Sequence, residues 1–365
     1  MTTSAANGGT ETEEDAAGAA SAGTRTGRAG EGPSEREGQM RAVVHTRYGP
    51  PDALELRAVE RPTPESGAVL IRVRAASVNA ADWHLVRGEP FLVRLMGFGL
   101  RAPNRPGFGA DVAGTVEAVG SAVTAFAPGD RVFGDLSVSG RGSFAEYVDA
   151  SEDAVAPIPT GVSFEDAAAT PMAAVTALQG LRDRGEIREG ERVLVVGASG
   201  GVGTFAVQIA KSYGAEVTGV CRTEKVETVR SLGADAVIDY TQVNWTNTGE
   251  RYDLILDAGA HQSVFAARRA LAPGGRYVLV GGALGPMLQA MALGPLLSRL
   301  GEERVTMLTA EPNRADLETV GDLLESGELE PVVDRRYPLV ETPEAVAYLE
   351  SGGATGKVVV TVDAE

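Results

Sequence analysis

The chain has 365 residues, 43% of them hydrophobic, a formal net charge of −17 and a single cysteine, Cys221. These figures exclude a fibre or a wholly disordered chain, and the charge opposes non-specific binding to nucleic acid or an anionic membrane. One cysteine excludes an internal disulfide and any metal site built from several thiolates. No stretch is long and apolar enough to span a bilayer, and residues 1–39 lack the basic and apolar regions of a secretory signal, so a cytoplasmic location is expected.

Residues 1–39 carry three arginines against seven acids and almost no large apolar side chains, so they cannot offset their ordering entropy and read as a disordered tail. From Met40 the pattern turns to short β-rich runs at 41–48, 53–60, 69–76, 115–119, 131–134 and 144–148, broken by Gly and Pro, as in a partly open barrel. The interval 87–106, with Phe91, Leu92, Leu95, Met96 and Phe98, fits either an apolar lid or a small helix completing the core. A helix is expected over 163–184, capped by Ser163 and interrupted at Pro171.

Strand and helix then alternate. Strands are expected at 193–196, 216–220, 236–239, 253–257, 276–280 and 304–308, with helical stretches around Phe205, Val226, Phe265 and Leu293. This is the pattern of a doubly wound parallel sheet. Helices at 315–325 and 344–349 and a strand at 357–362 close the chain. The organisation expected is a tail at 1–39, a β-rich domain at 40–165, a Rossmann domain at 166–311 and a return to the first domain at 312–365.

The chemistry gathers at RVLVVGASGGVGTFAVQIAK, residues 192–211. Val193 to Val196 form an uninterrupted apolar strand, and Phe205, Ile209 and the alanines recur at helical spacing behind a glycine turn. Aligned with the dinucleotide fingerprint, Ala198, Gly200 and Gly203 take the three diagnostic positions, the first glycine being replaced. The turn Ser199, Gly200, Gly201, Val202, Gly203 would cradle a pyrophosphate at the start of the helix. Gly-Ala-Ser-Gly-Gly also has the form of a hydrolase elbow, but Gly203 and the repeated strand-helix units favour a nucleotide.

In proteins that prefer NAD the next strand ends in an acid that binds the ribose 2′-hydroxyl. Here it ends in Cys221, Arg222 and Thr223, with Lys225 close behind. Arg222 would pair with a 2′-phosphate, Thr223 would add a hydroxyl and Lys225 a point charge, so NADPH is expected in preference to NADH.

Several segments together resemble the medium-chain dehydrogenase/reductases, and within them the zinc-independent quinone oxidoreductase group. They are SVNAADW (77–83), PGFGADVAGTVEAVG (106–120), PGDRVFG (128–134), FAEY (144–147), TALQGL (176–181), the glycine turn and GADAVIDY (233–240). The resemblance implies a GroES-like β-rich domain beside a Rossmann domain, with nicotinamide and substrate in the cleft between them. Zinc alcohol dehydrogenases of that superfamily place a Cys three residues before an Asp and a His-Glu pair after a Gly. Here Asn79 precedes Asp82, and Ala110 and Asp111 replace His and Glu. His45, His84 and His261 form no ligand spacing, so no metal site is expected.

What remains is hydride delivery to an acceptor that delocalises its own charge, namely a quinone or an α,β-unsaturated carbonyl compound. By resemblance Asn79 would hydrogen-bond the substrate oxygen or the nicotinamide ribose and Trp83 would form an apolar wall, with Tyr147 a candidate proton donor ranked below solvent. Thr176 would lie near the nicotinamide and Tyr240 near the adenine ribose or phosphate. Gly281 and Gly282 would lie at the carboxyl edge of the sheet, and Lys357 would close the cofactor cleft. A homodimer paired at residues 304–308 is expected. The alternatives are a protein that holds NADPH with little turnover, and a zinc-type alcohol dehydrogenase with unusual ligands.

Overall fold

The computed structural model describes residues 38–91, 93–138 and 142–362, so the tail expected at 1–39 lies almost wholly outside the described residues. In chain order, β1 (Gln39–Val44), β2 (Glu55–Glu60), β3 (Ala68–Val78), α1 (Ala80–Arg87), β4 (Asp111–Val119), β5 (Arg131–Asp135), β6 (Tyr147–Ser151) and β7 (Val155–Pro157) come first. The helices α2 (Phe164–Ala168) and α3 (Pro171–Gln179) follow. Next come β8 (Arg192–Val196), α4 (Gly201–Ser212), β9 (Glu216–Cys221), α5 (Val226–Ser231), β10 (Ala236–Asp239), β11 (Tyr252–Asp257), α6 (Val264–Arg268), β12 (Leu271–Leu279), α7 (Leu284–Leu300) and β13 (Arg304–Met307). The chain ends with α8 (Arg314–Ser326), β14 (Val333–Pro338), α9 (Thr342–Glu350) and β15 (Lys357–Thr361).

Three sheets result. β1 and β2 form an antiparallel ribbon, and a mostly antiparallel sheet runs β14-β15-β3-β4-β5-β7, with β6 also paired to β3. The six-stranded sheet runs β10-β9-β8-β11-β12-β13, every pair parallel. Its order reverses beside β8, which leaves a crevice at the carboxyl ends of β8 and β11. The unbroken apolar run of β8 is explained by burial on both faces: Val193 and Val195 join one core cluster, Leu194 and Val196 the other. The first of these clusters also takes in Ala75, Ala113, Phe133 and Val359 from the β-rich sheet, so one continuous core joins the two halves.

The helix expected at 163–184 is broken where Pro171 begins α3, because proline cannot donate to the preceding turn. β4 starts four residues before the expected strand, and β6 starts three after. Leu92 of the segment at 87–106 lies outside the described residues; of the others, Phe91, Leu95 and Leu100 are each 58% exposed and so complete no core, and Tyr48 holds the segment by donating its hydroxyl to the carbonyls of Phe98 and Gly99.

Candidate active site

The phosphate turn is built by exclusion of side chains. A Cβ on Gly203 would come within 2.0 Å of the Gly197 carbonyl oxygen, so only glycine lets α4 begin this close to β8. Ala198, which replaces the first glycine of the fingerprint, is fully buried, and its Cβ fits because the facing position on β9 is Gly219. The first N–H groups of α4 have no acceptor within the helix, and the residues that carry them, Gly201, Val202 and Gly203, line the crevice. Opposite them, Gly356 donates its N–H to the Ser199 carbonyl at 2.9 Å and bridges to Gly200, so the start of β15 forms the facing wall.

Two adjoining cavities, about 590 and about 310 Å³, make one cleft here, and Gly197, Gly200, Gly201, Ala258, Leu349 and Gly356 line both. Ser199, Arg222, Lys225 and Tyr240 line the larger. Asn79, Thr176, Val202, Gly203, Gly281, Gly282 and Lys357 line the smaller. Cys221 lies against the larger cavity, and burial pushes its thiol up to about 11, so it stays protonated and unreactive.

Four of the expected site residues are engaged otherwise than the sequence suggested. Thr223 lines neither cavity and donates to Asp239 at 2.6 Å, pinning the ends of β9 and β10 together. Lys225 is buried, and its ammonium donates to the Ala354 carbonyl instead of standing free at the cleft; desolvation, then the charge of Arg222, lowers its pKa. Trp83 stacks on His84 at 3.5 Å between ring centroids and packs on the barrel core, not on either cavity. Tyr147 lies on β6 with the Arg61 guanidinium 3.8 Å from its ring centroid, so it has no place in the cleft as a proton donor.

Asn79 does reach the cleft, as part of a buried polar cluster that the sequence reading missed. Asp111, with no exposed surface, accepts at Oδ2 from the Ser77 hydroxyl (2.6 Å), the Asn79 amide (2.9 Å) and the Lys357 ammonium (3.0 Å). Its Oδ1 accepts from the backbone N–H of Met172 at 2.9 Å, in the first turn of α3. The Lys357 ammonium also donates to Asn79 Oδ1 at 2.5 Å. The available signal was an acid inside the apolar run Gly-Ala-Asp-Val-Ala, because a buried carboxylate requires such partners. Also missed were Asn244, Trp245, His261 and Gln262, which line the larger cavity beyond the ends of β10 and β11. A further buried acid, Asp257, ends β11 beneath that loop. It accepts from the Tyr277 hydroxyl at 2.8 Å and the Gly259 N–H at 3.1 Å, and burial raises its pKa to about 6.

Comparison with known proteins agrees with this architecture. Residues 65–160 match the alcohol dehydrogenase GroES-like domain, and residues 232–360 match the zinc-binding dehydrogenase domain. The NADPH-dependent alkenal/one oxidoreductase of Arabidopsis thaliana is 35% identical over 88% of this chain and 79% of its own. The chloroplast envelope quinone oxidoreductase homolog of the same plant is 34% identical over 88% of this chain and 98% of its own. The chain belongs to the medium-chain dehydrogenase/reductase superfamily. Among solved structures of that superfamily, the quinone oxidoreductase from Coxiella burnetii superposes with a TM-score of 0.80 at 28% identity, covering 89% of this chain and 100% of that one. The superfamily's β-rich domain and parallel-sheet domain are therefore both present, as the resemblance implied.

The zinc ion that one of those domain descriptions implies does not fit the cluster at Asp111. That carboxylate is already occupied by four donors, and the cation against it is the Lys357 ammonium. Among the described residues no three His, Cys, Asp or Glu side chains converge on a common point. A dinucleotide does fit: Gly200 and Gly201 line both cavities with backbone alone at the start of α4, and Arg222 lines the larger one beside them.

Proposed function

We propose that this chain is a zinc-independent reductase that uses NADPH, in preference to NADH, to deliver hydride to a quinone or to the β-carbon of an α,β-unsaturated carbonyl compound. The observation that carries the reading is the single cleft, with a glycine cradle and Arg222 at one end and a buried Asn79–Asp111–Lys357 cluster at the other. The names of the alkenal/one and quinone oxidoreductase relatives support it.

NADPH bound in the cradle supplies the hydride. The α4 N–H groups and the turn Ser199 to Gly203 would hold its pyrophosphate, and Arg222 would pair with the 2′-phosphate. Tyr240, in the larger cavity, would flank the adenosine, and Thr176, Gly281 and Gly282, in the smaller, would line the nicotinamide end. Asn79 is held there by Lys357 and Asp111, so its amide is oriented before substrate arrives. Val202, Val280 and Met172 make this end apolar and keep water from the hydride path. With Tyr147 under Arg61, solvent is the source of the proton that completes reduction.

The deciding experiment is turnover of NADPH and of NADH with quinones, enones and simple alcohols, with and without a chelator. Consumption of NADPH with quinones or enones, unaffected by chelator, supports the reading. NADPH binding without consumption across the panel would instead make the chain a cofactor-holding protein, and chelator-sensitive alcohol oxidation would restore a metal mechanism.

The chain is further proposed to act as a homodimer. β13 is the outer strand of the parallel sheet, and α7 beside it exposes Leu284, Leu288, Met291 and Leu296.

A further inference from the structure

Of the 33 basic residues in the chain only three are lysines, Lys211, Lys225 and Lys357, and the rest are arginines. Lys357 is the most deeply placed, 2% exposed at the start of β15, yet it lines the smaller cavity of the cleft. Its ammonium spends one N–H on Asn79 Oδ1 and one on Asp111 Oδ2, which leaves a third. Asp111 is in turn locked by Ser77 from β3 and by the Met172 N–H from α3, so the ammonium is anchored from three elements. An arginine fork would spread its charge over a plane. A lysine concentrates it at one point, in a site from which water is largely excluded.

We propose that the Lys357 ammonium is the electrophile of the reaction, hydrogen-bonding the carbonyl oxygen of an α,β-unsaturated ketone or aldehyde as that oxygen becomes an enolate. This rests on the reading of the cleft as an enone reductase site. Hydride addition forms the new C–H bond at the β-carbon while NADPH is oxidised to NADP⁺, and the C=C electron pair shifts so that negative charge collects on the carbonyl oxygen. Lys357 stabilises that oxygen through its third N–H and keeps its proton. The α-carbon then takes a proton from water to give the saturated carbonyl product. Asp111 and Ser77 are positioning residues: they fix the ammonium without touching substrate, and Asn79 holds it through Oδ1. Such preorganised donors act on charge that develops only in the transition state, so the effect belongs in kcat.

The prediction separates acceptors by the basicity of their reduced anions. A simple enone gives a basic enolate that needs the ammonium, whereas a quinone spreads the charge itself. Lys357→Met is expected to lower kcat on a simple enone by about 10²–10³-fold, but on a quinone by less than about 10-fold. NADPH affinity, measured by fluorescence titration, should stay within about 3-fold of the unaltered enzyme, and Lys357→Arg should recover part of the enone rate. Equal losses on both acceptors, or a loss that follows weakened NADPH binding, would reduce Lys357 to a cofactor ligand and overturn the proposal.

Should the Met variant not fold, the unaltered enzyme supplies the second test. With ¹⁵Nζ-labelled lysine its three ammonium signals can be assigned from the arginine variants, and a saturated ketone titrated into the NADP⁺ complex should shift Lys357 alone. Absence of that shift refutes the contact. If the enzyme reduces quinones but no enone, the electrophile fails while the reductase reading stands; NADPH consumption with neither class removes both.

Discussion

Lys225, four residues beyond the end of β9, donates its ammonium to the backbone carbonyl of Ala354, which precedes β15. A cation that follows the second strand of the nucleotide-binding unit thus clips the C-terminal segment against the mouth of the cleft. Lys225→Met removes a charge-assisted hydrogen bond of about 1.5–3 kcal/mol. It should raise the Kd for NADPH by about 10-fold while leaving kcat at saturating cofactor within about 2-fold, because the contact closes the cleft and does not touch the reacting atoms. Equal loss in kcat would show that the clip also aligns the reacting end.

Arg222 is left as the cation available to a 2′-phosphate once Lys225 is committed to Ala354 and Thr223 to Asp239. Arg222→Ala should lower kcat/KM for NADPH by about 10–100-fold and leave that for NADH nearly unchanged. Steady-state kinetics with the two cofactors measure this directly. Parallel losses for both would assign Arg222 a role in folding or in binding the common part of the cofactor.

Asp257 sets a pH dependence of stability. Its carboxyl ordinarily titrates near 3.8 and is raised by burial to about 6 in the folded chain. Between those values the folded chain retains a proton that the unfolded chain has released, so this group's contribution to stability falls as pH rises through about 4 to 6. Asp257→Asn, which can still accept from Tyr277 or Gly259, should stabilise the protein by about 1–3 kcal/mol at pH 7 and by almost nothing near pH 4. Urea midpoints of both proteins at the two pH values supply the comparison, and a difference that does not vary with pH would contradict it.

Gly203 and Gly200 should respond differently to the same change. Gly203→Ala places a methyl 2.0 Å from a backbone oxygen that cannot move without parting α4 from β8, whereas at Gly200 the nearest contact is an ordinary 3.4 Å. The first is expected to cost more than about 3 kcal/mol of stability and the second less than about 1. Thermal melts of the two variants without cofactor decide the point.

The dimer proposal predicts that Leu288→Asp with Met291→Asp, both on the exposed face of α7, yields a monomer by light scattering after size exclusion. The unaltered protein should run at twice the chain mass. A monomeric parent protein would leave that apolar face for another use.

The parallel sheet was legible in the sequence because its signal is local. Val193 to Val196 read as a strand buried on both sides, and each of those side chains is buried. The glycine turn was legible for the same reason: strand, turn and helix run without interruption from Arg192 to Ser212. The Asp111 cluster was not, since its partners come from Ser77, Asn79, Met172 and Lys357, and the longest of these links spans 246 residues. β4 was expected only from Thr115 because an acid at its start looks like a turn residue until the donors that satisfy it are known. Tyr147 failed as a site residue for a related reason: strand pairing of β6 with β3, not its neighbours in FAEY, decides what its ring faces. Lys225 and Thr223 stood at the right place in the fingerprint, but the acceptors that occupy them lie 129 and 16 residues away.

The seam between Gly356 and the phosphate turn carries a consequence for the order in which the protein is made. All six strands of the parallel sheet, and the turn itself, are synthesised before residue 308, so the nucleotide-binding half is made ahead of the wall that faces it. The wall that faces the turn, and with it Ala354, Gly356 and Lys357, is among the last of the described residues to be made. A nascent chain stalled before residue 352 would carry the cradle for phosphate but neither the clip nor the buried ammonium, and would gain both only on release.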